Sequence, residues 1–311
     1  MNILITGIHG FVGSHLVSAL SKQHTLYGLD VHSHDKEGIV KTYSWQDLNE
    51  HLLPEVDAII HLAGKAHDTR DKLEASEYFH VNTDLTIQVY DYFLHHRISK
   101  FMFFSTVKAV ADTVSGVLTE EVIPAPVGPY GESKIAAEDY IMAHPARENQ
   151  SVYILRPCMI HGPGNKGNLN LLYQIVRKGF PWPLGAFENR RTFTSVGNLC
   201  FAVERFMERK IPSGIYHIGD DESLSTNELI EIICAESGCK AHIWHLPRCL
   251  MWGLARLGTL LHLPFNAVRL RKLTENYIVS NAKIKKVLEI KKFPIRAKDG
   301  LEDTIQSFQN Q

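Results

Sequence analysis

Short runs of consecutive apolar residues alternate with amphipathic segments through the first half of the chain. Asn2–Thr6 reads as a buried strand, followed by a glycine turn and a helix from about Gly10 to Leu20. Thr25–Leu29, Ala58–Leu62, Phe101–Ser105 and Val152–Leu155 read as further strands, with helical segments at Tyr78–His96 and Ser133–Ala143. Strands rich in Ile, Val and Phe and separated by helices predict βαβ units and a parallel sheet covered on both faces. Right-handed crossovers then build a doubly wound α/β sheet.

After Arg156-Pro157 the pattern loosens. A turn-rich loop, Gly162–Asn168, precedes a helix at Leu169–Lys178 and a break at Pro181-Trp182-Pro183. Ile215–Ile218 reads as a strand returning to the sheet. Ser225 and Glu228 have the spacing of a capping box, and helices at 247–261 and 281–289 complete a smaller C-terminal α+β lobe. The expected division is a nucleotide-binding domain at 1–164 with a returning segment near 190–218. Residues 165–189 and 219–311 then form a substrate lobe.

Composition narrows the class. With 44% hydrophobic and 22% charged residues over 311 positions, the chain can bury a core, which excludes disorder as its main state. Lys and Arg (33) balance Asp and Glu (34), so the basic excess that a general grip on nucleic acid needs is missing. Five cysteines without a C-x-x-C argue for reduced thiols, and with no leader-like N-terminus the expected location is the cytoplasm. The 17 histidines are scattered, no H-E-x-x-H occurs, and no metal site is expected. Leu250–Leu263 is interrupted by Arg256 and too short to span a bilayer, so no transmembrane segment is expected. It reads as lobe packing or a dimer contact, with an interfacial helix serving a lipid-linked substrate as the rival.

Gly7, Gly10 and Gly13 close the first strand and open the first helix with G-x-x-G-x-x-G spacing. Such a turn brings backbone close to a pyrophosphate, and the helix-start N–H groups, including those of Phe11 and Val12, can bind it. Asp30, at the end of the second strand, suits the adenosine ribose hydroxyls and favours NAD. His32, His34 and Lys36 leave NADP open. Asp47-Leu48 is a weaker candidate for the adenine edge, with a solvated turn as the alternative.

In order along the chain, this loop is joined by His61-Leu62-Ala63-Gly64, Asn82, Ser105-Thr106, Tyr130-x-x-x-Lys134 and Arg156-Pro157 leading into His161-Gly162-Pro163-Gly164. Arg190-Arg191 and Ser195-Val196-Gly197-Asn198-Leu199 continue the series. Together these motifs resemble the extended short-chain dehydrogenase/reductase family, the nucleotide-sugar epimerases, dehydratases and reductases. The resemblance implies a Rossmann sheet, a homodimer, and cofactor contacts from Leu62, Ala63, Gly64, Asn82, Tyr130, Lys134 and Pro157.

Residues i and i+4 share a helix face, so Lys134 stands beside Tyr130. A phenol near pKa 10 exchanges protons poorly at neutral pH, and an adjacent ammonium, with the positive nicotinamide of the oxidised cofactor, is expected to lower it. Tyr130 then exchanges a proton with a sugar oxygen while hydride moves to or from nicotinamide. Thr106 holds the same oxygen, and Lys134 also holds the nicotinamide ribose. Many family members carry a Val-Tyr-Gly after the serine-rich strand, and dehydratases carry an Asp-Glu pair there. Here the segment is Thr106-Val107-Lys108, which weakens epimerisation and disfavours 4,6-dehydration.

The stretches Gly162–Leu169, Gly179–Gly185 and Asn189-Arg190-Arg191 look like bacterial reductases of UDP-4-keto-6-deoxy-N-acetylhexosamines, which make quinovosamine-type sugars for surface polysaccharides. By that resemblance Asn168, Leu169 and Arg191 bind the nucleotide diphosphate, and Tyr277 lies nearby. The expected partner is a UDP-linked sugar, with a UDP-hexose or UDP-HexNAc 4-epimerase as the alternative activity.

Overall fold

The computed structural model describes residues 1–32, 34–66, 74–263 and 265–309, apart from the side chain of Asn168. Its strands are β1 (Asn2–Thr6), β2 (Thr25–Leu29), β3 (Lys41–Tyr43), β4 (Ala58–His61), β5 (Lys100–Phe104), β6 (Val117–Leu118), β7 (Ser151–Pro157), β8 (Met159–His161), β9 (Arg191–Ser195), β10 (Gly214–Ile218), β11 (Ser223–Leu224) and β12 (Ile278–Val279). Seven of them form one parallel sheet in the order β10-β7-β5-β4-β1-β2-β3. This is the expected doubly wound Rossmann sheet. Its order reverses between β1 and β4, the place at the carboxyl ends of the strands where sheets of this kind bind their ligands in a crevice.

The two-residue strand period sorts the core into two layers. Ile3, Ile5, Ile60, Met102 and Leu155 face the helices Phe11–Leu20 and Val196–Glu208. Their alternates Leu4, Ile59, Phe101, Phe103 and Ile154 face Leu85–His95 and Pro129–Ala143. Burying each such side chain contributes about 1.5–3 kcal/mol, so both layers anchor the strand ends that carry the site.

Two helices differ from expectation where the site is built. Tyr78–His96, read as one helix, is Ala75–Phe79, a wide π turn at His80–Asp84, and Leu85–His95. The helix expected from Ser133 begins at Pro129, because Gly128 at φ 87° turns the chain and Pro129 is preset for the first helical position. Tyr130 therefore stands in its first turn.

Beyond the sheet, β8, β9 and β11 form a small sheet covered by Asn168–Arg177, Thr226–Ser237 and Ala297–Gln309 around Tyr173, Phe193, Ile233, Leu301 and Ile305. Pairing of β12 with β6 carries the Tyr277 segment back toward the end of β5. Ile284, Leu288 and Phe293 pack in the Rossmann core. We propose the two-lobe division with that one change: residues 282–293 belong with the sheet rather than with the substrate lobe.

Candidate active site

The glycine turn leaves β1 with Gly7 at φ 72°, where a Cβ would stand 3.0 Å from the Ala63 amide nitrogen. At Gly13 a Cβ would meet the Gly7 carbonyl oxygen at 2.2 Å, so the helix is seated on the turn as no other residue allows. Gly10 caps this helix without a side-chain bond, and no acidic residue lies in its first turn. Its first N–H groups thus face the crevice as a positively polarised end, which suits a pyrophosphate. The cradle fits a dinucleotide.

A buried hydroxyl and imidazole chain holds the opposite wall. The Thr86 hydroxyl donates to the Asn82 carbonyl (2.7 Å), so it accepts from His61 Nε2–H (2.9 Å). His61 Nδ1 then accepts from Thr6 Oγ1 at 2.8 Å. Thr6 Oγ1 in turn accepts the amides of Leu62 and Ala63 at 3.0 and 2.8 Å. Burial, reinforced by the charge of Lys134, pushes the imidazole down to about 3, which keeps it neutral in this role. Asn82 sits in the π turn, accepts from Lys65 N–H (2.8 Å) and donates to Ser133 Oγ (3.0 Å). It thereby locks the loop after Gly64 to the Tyr130 helix.

Asp30 is nearly buried and accepts from the His9 and His32 amides, each at 3.2 Å. It both braces the glycine turn and remains at the rim. Nearby, Lys36 Nζ donates to Ser14 Oγ at 2.9 Å.

At the ends of β5 and the Pro129–Ala143 helix, Thr106, Tyr130 and Lys134 converge. The Thr106 hydroxyl lies beside the Tyr130 phenol, and Tyr78 stands edge-on to the phenol ring with centroids 6.2 Å apart. Lys134 is buried, donates to the Phe104 carbonyl at 2.9 Å, and lies 4.8 Å from the centre of the Phe103 ring. The Lys134 ammonium and an oxidised nicotinamide are expected to lower the phenol pKa, and within the protein itself burial works in the opposite direction. Burial raises the Tyr130 phenol against the opposing pull of the Thr106 hydroxyl, with the Tyr78 charge adding to the rise. Lys134 is itself pushed down by burial to about 8, partly held up by Glu138. At pH 7 the phenol is protonated, and the Lys134 ammonium, one turn along the same helix, remains largely charged.

Residues 3–219 match the NAD dependent epimerase/dehydratase family. The chain belongs to that family. It is similar to a Vibrio cholerae UDP-glucose 4-epimerase, 28% identical over 260 residues covering 79% of this chain and 78% of that one. A GDP-6-deoxy-D-mannose reductase from Pseudomonas aeruginosa is 27% identical over 243 residues, covering 74% and 78% of the two chains. The crystal structure of Bacillus cereus UDP-glucuronic acid 4-epimerase, bound to UDP-glucuronic acid and NAD, shares the fold. Its TM-score is 0.77 at 22% identity, over 100% of this chain and 99% of that one.

Within this epimerase/dehydratase frame the remaining candidate residues separate. Asp47 is committed to a capping box with Ser44, accepting its amide and hydroxyl at 2.7 Å each, and Leu48 is core. Pro157 ends β7 in full burial, and the Leu169 side chain lies in the core of the second lobe. The side chain of Asn168 falls outside the described residues. Tyr277 already donates to the carbonyls of Val107 (3.2 Å) and Ala111 (2.8 Å), so it shapes the wall behind Thr106. Arg191 is the opposite case. Its Nη2 bonds the Lys272 carbonyl, while its buried Nε has no hydrogen-bond partner among the described residues, a donor suited to an anionic oxygen.

Glu138 was missed by sequence reasoning. It takes the Ser105 hydroxyl and, at 3.0 Å, Nε of buried Arg156, whose Nη2 also reaches it. Tyr130, Lys134 and Glu138 recur every four residues, a signal that could have found it. All five cysteines are free thiols. Among the described residues no group of three or more His, Cys, Asp and Glu could hold a metal ion, and no helix is long and apolar enough to cross a membrane.

Proposed function

We propose that the protein is an NAD-dependent 4-ketoreductase of a UDP-4-keto-6-deoxy-HexNAc, acting in the synthesis of a quinovosamine-type surface sugar. The observation that carries this reading is the meeting of Thr106, at the end of β5, with Tyr130 and Lys134 of the Pro129–Ala143 helix, which sets a phenol proton donor where a developing alkoxide can take its proton. NADH, when bound, supplies the hydride to C4. Tyr130 Oη gives its proton to the C4 oxygen, Thr106 Oγ1 keeps that oxygen in place, and Lys134 holds the ribose side of the cofactor and the charge beside Tyr130. Gly7, Gly10, Gly13, Phe11 and Val12 would hold the pyrophosphate, with Leu62, Ala63, Gly64, Asn82 and Pro157 lining the crevice. Asp30 would take the adenosine ribose. The unpartnered Nε of Arg191 would take the substrate diphosphate.

The segment after Thr106 supports reduction over dehydration. Val107 is buried, and Lys108 is tied to the Asp112 carboxylate at 3.0 Å, so neither is the carboxylic acid that water loss from a sugar needs. The same triad can also serve a UDP-hexose or UDP-HexNAc 4-epimerase, and the 28% identity to the Vibrio cholerae enzyme favours that second reading. Five free thiols fit a reducing compartment, and the reading places the enzyme in the cytoplasm.

The test is stoichiometry. Incubated with UDP-4-keto-6-deoxy-HexNAc, the protein should oxidise one NADH per sugar, and Tyr130→Phe should stop turnover while NADH still binds. Interconversion of UDP-sugars with no net NADH consumption would replace this reading with the epimerase. Undiminished turnover in Tyr130→Phe would remove the mechanism altogether.

A further inference from the structure

The helix Arg248–Leu260 buries only one side. Met251 and Ala255 pack against Leu184, Phe187 and Leu270 of the neighbouring segments. On the adjoining face Leu250, Leu254, Leu257 and Leu261 recur at spacings of four, three and four residues, which puts them on one stripe. They are 48, 47, 51 and 56% exposed, and Leu260 beside them is 74% exposed. Single exposed leucines are ordinary, but a continuous stripe over three turns marks a surface that something covers.

Charge identifies the occupant. From Ser237 to Thr274 the chain holds six Lys and Arg and no Asp or Glu, although its overall net charge is -1. Arg256 on this helix, and Arg269 and Arg271 on the following helix Ala267–Thr274, are exposed and form no ion pair among the described residues. A second copy meeting this patch symmetrically would bring the same cations face to face. An anionic bilayer matches both features at once, because apolar side chains enter the headgroup boundary while arginines stay with the lipid phosphates. At 13 residues the helix is about 20 Å long, too short to cross, and so lies in the plane.

We propose that the Arg248–Leu260 and Ala267–Thr274 helix pair docks the protein on an anionic membrane surface through the Leu250, Leu254, Leu257 and Leu261 stripe. This stands whether the active site reduces or epimerises its sugar.

The full chain should co-sediment with vesicles of phosphatidylethanolamine and phosphatidylglycerol, be released by salt, and ignore vesicles of phosphatidylcholine. Leu254→Glu with Leu257→Glu should lower vesicle affinity by at least about tenfold, and Arg256→Gln and Arg269→Gln by about fivefold each, with melting temperature and NADH binding unchanged. Equal binding to both vesicle types, or vesicle binding untouched by the glutamates, overturns the proposal. So does a dimer in sedimentation equilibrium that the glutamates split while neither vesicle is bound, because the occupant is then a second copy.

Discussion

Lys134→Met should produce a protein that is inactive and yet more stable at neutral pH. Lys134 is 5% exposed, and burial lowers its ammonium from 10.5 to about 8 although Glu138 opposes the change. That difference corresponds to about 3 kcal/mol spent on keeping the charge in place. Methionine is unbranched and of similar length, so it can occupy the same channel beside Phe103. Losing the bond to the Phe104 carbonyl takes back about 1 kcal/mol, leaving a net gain of about 2 kcal/mol at pH 7. The sign of the pH dependence follows from proton counting. Between about 8 and 10.5 the unfolded lysine holds a proton that the folded one has released, so stability of the natural protein rises with pH through that window. The advantage of the methionine variant is therefore fully present below pH 8 and closes above it. Urea unfolding at pH 7 and at about pH 9.5, beside a turnover assay, measures both parts. A variant less stable at pH 7, or one whose advantage grows with pH, would refute the assignment of Lys134 as a buried charge held at a cost for function.

Two further substitutions probe its supports. Gly13→Ala places a Cβ against backbone atoms, 2.2 Å from the Gly7 oxygen and 2.9 Å from the Ile8 Cα, so the helix start must shift. It should cost about 1–3 kcal/mol in thermal unfolding and weaken NADH binding at least tenfold by fluorescence titration. Glu138→Gln leaves Arg156 buried beside a neutral amide and should destabilise by about 3–5 kcal/mol in urea. Because Glu138 is what raises Lys134, the same change should drop Lys134 further below 8, and the alkaline limb of the pH–rate profile should move to lower pH.

The sheet was legible because its strands are short apolar runs bounded by turn residues, and β1 and β2 begin and end where the pattern puts them. Other elements had a readable signal that a motif concealed. Reading Ser195–Leu199 only as a signature leaves no helix there, yet Val196, Leu199, Val203 and Phe206 have helical spacing and supply the core of Val196–Glu208. Ala297, Leu301, Thr304, Ile305 and Phe308 do the same for the last helix. Lys41–Tyr43 is different. Three residues carry no period, and this edge strand exists because β2 offers it a partner.

Spacing along one helix gives proximity but not electrostatics. The Tyr130–Lys134 interval put two groups on one face, and that geometry holds. The phenol's own shift also depends on chain segments the interval does not contain: Tyr78 arrives on the Ala75–Phe79 helix and Thr106 from the end of β5, and burial raises the phenol where the ammonium and an oxidised nicotinamide are expected to lower it. Lys134 is weakened by a roof of Phe103 and Phe104, while Glu138, one turn further along its own helix, restores part of its charge. Glu138 in turn is paired in the core by Arg156, which reaches it from β7. Arg156-Pro157 was visible as a motif without a reason. The reason is one of long-range balance: the arginine serves the acid that serves the lysine, and so acts on the reaction without touching it.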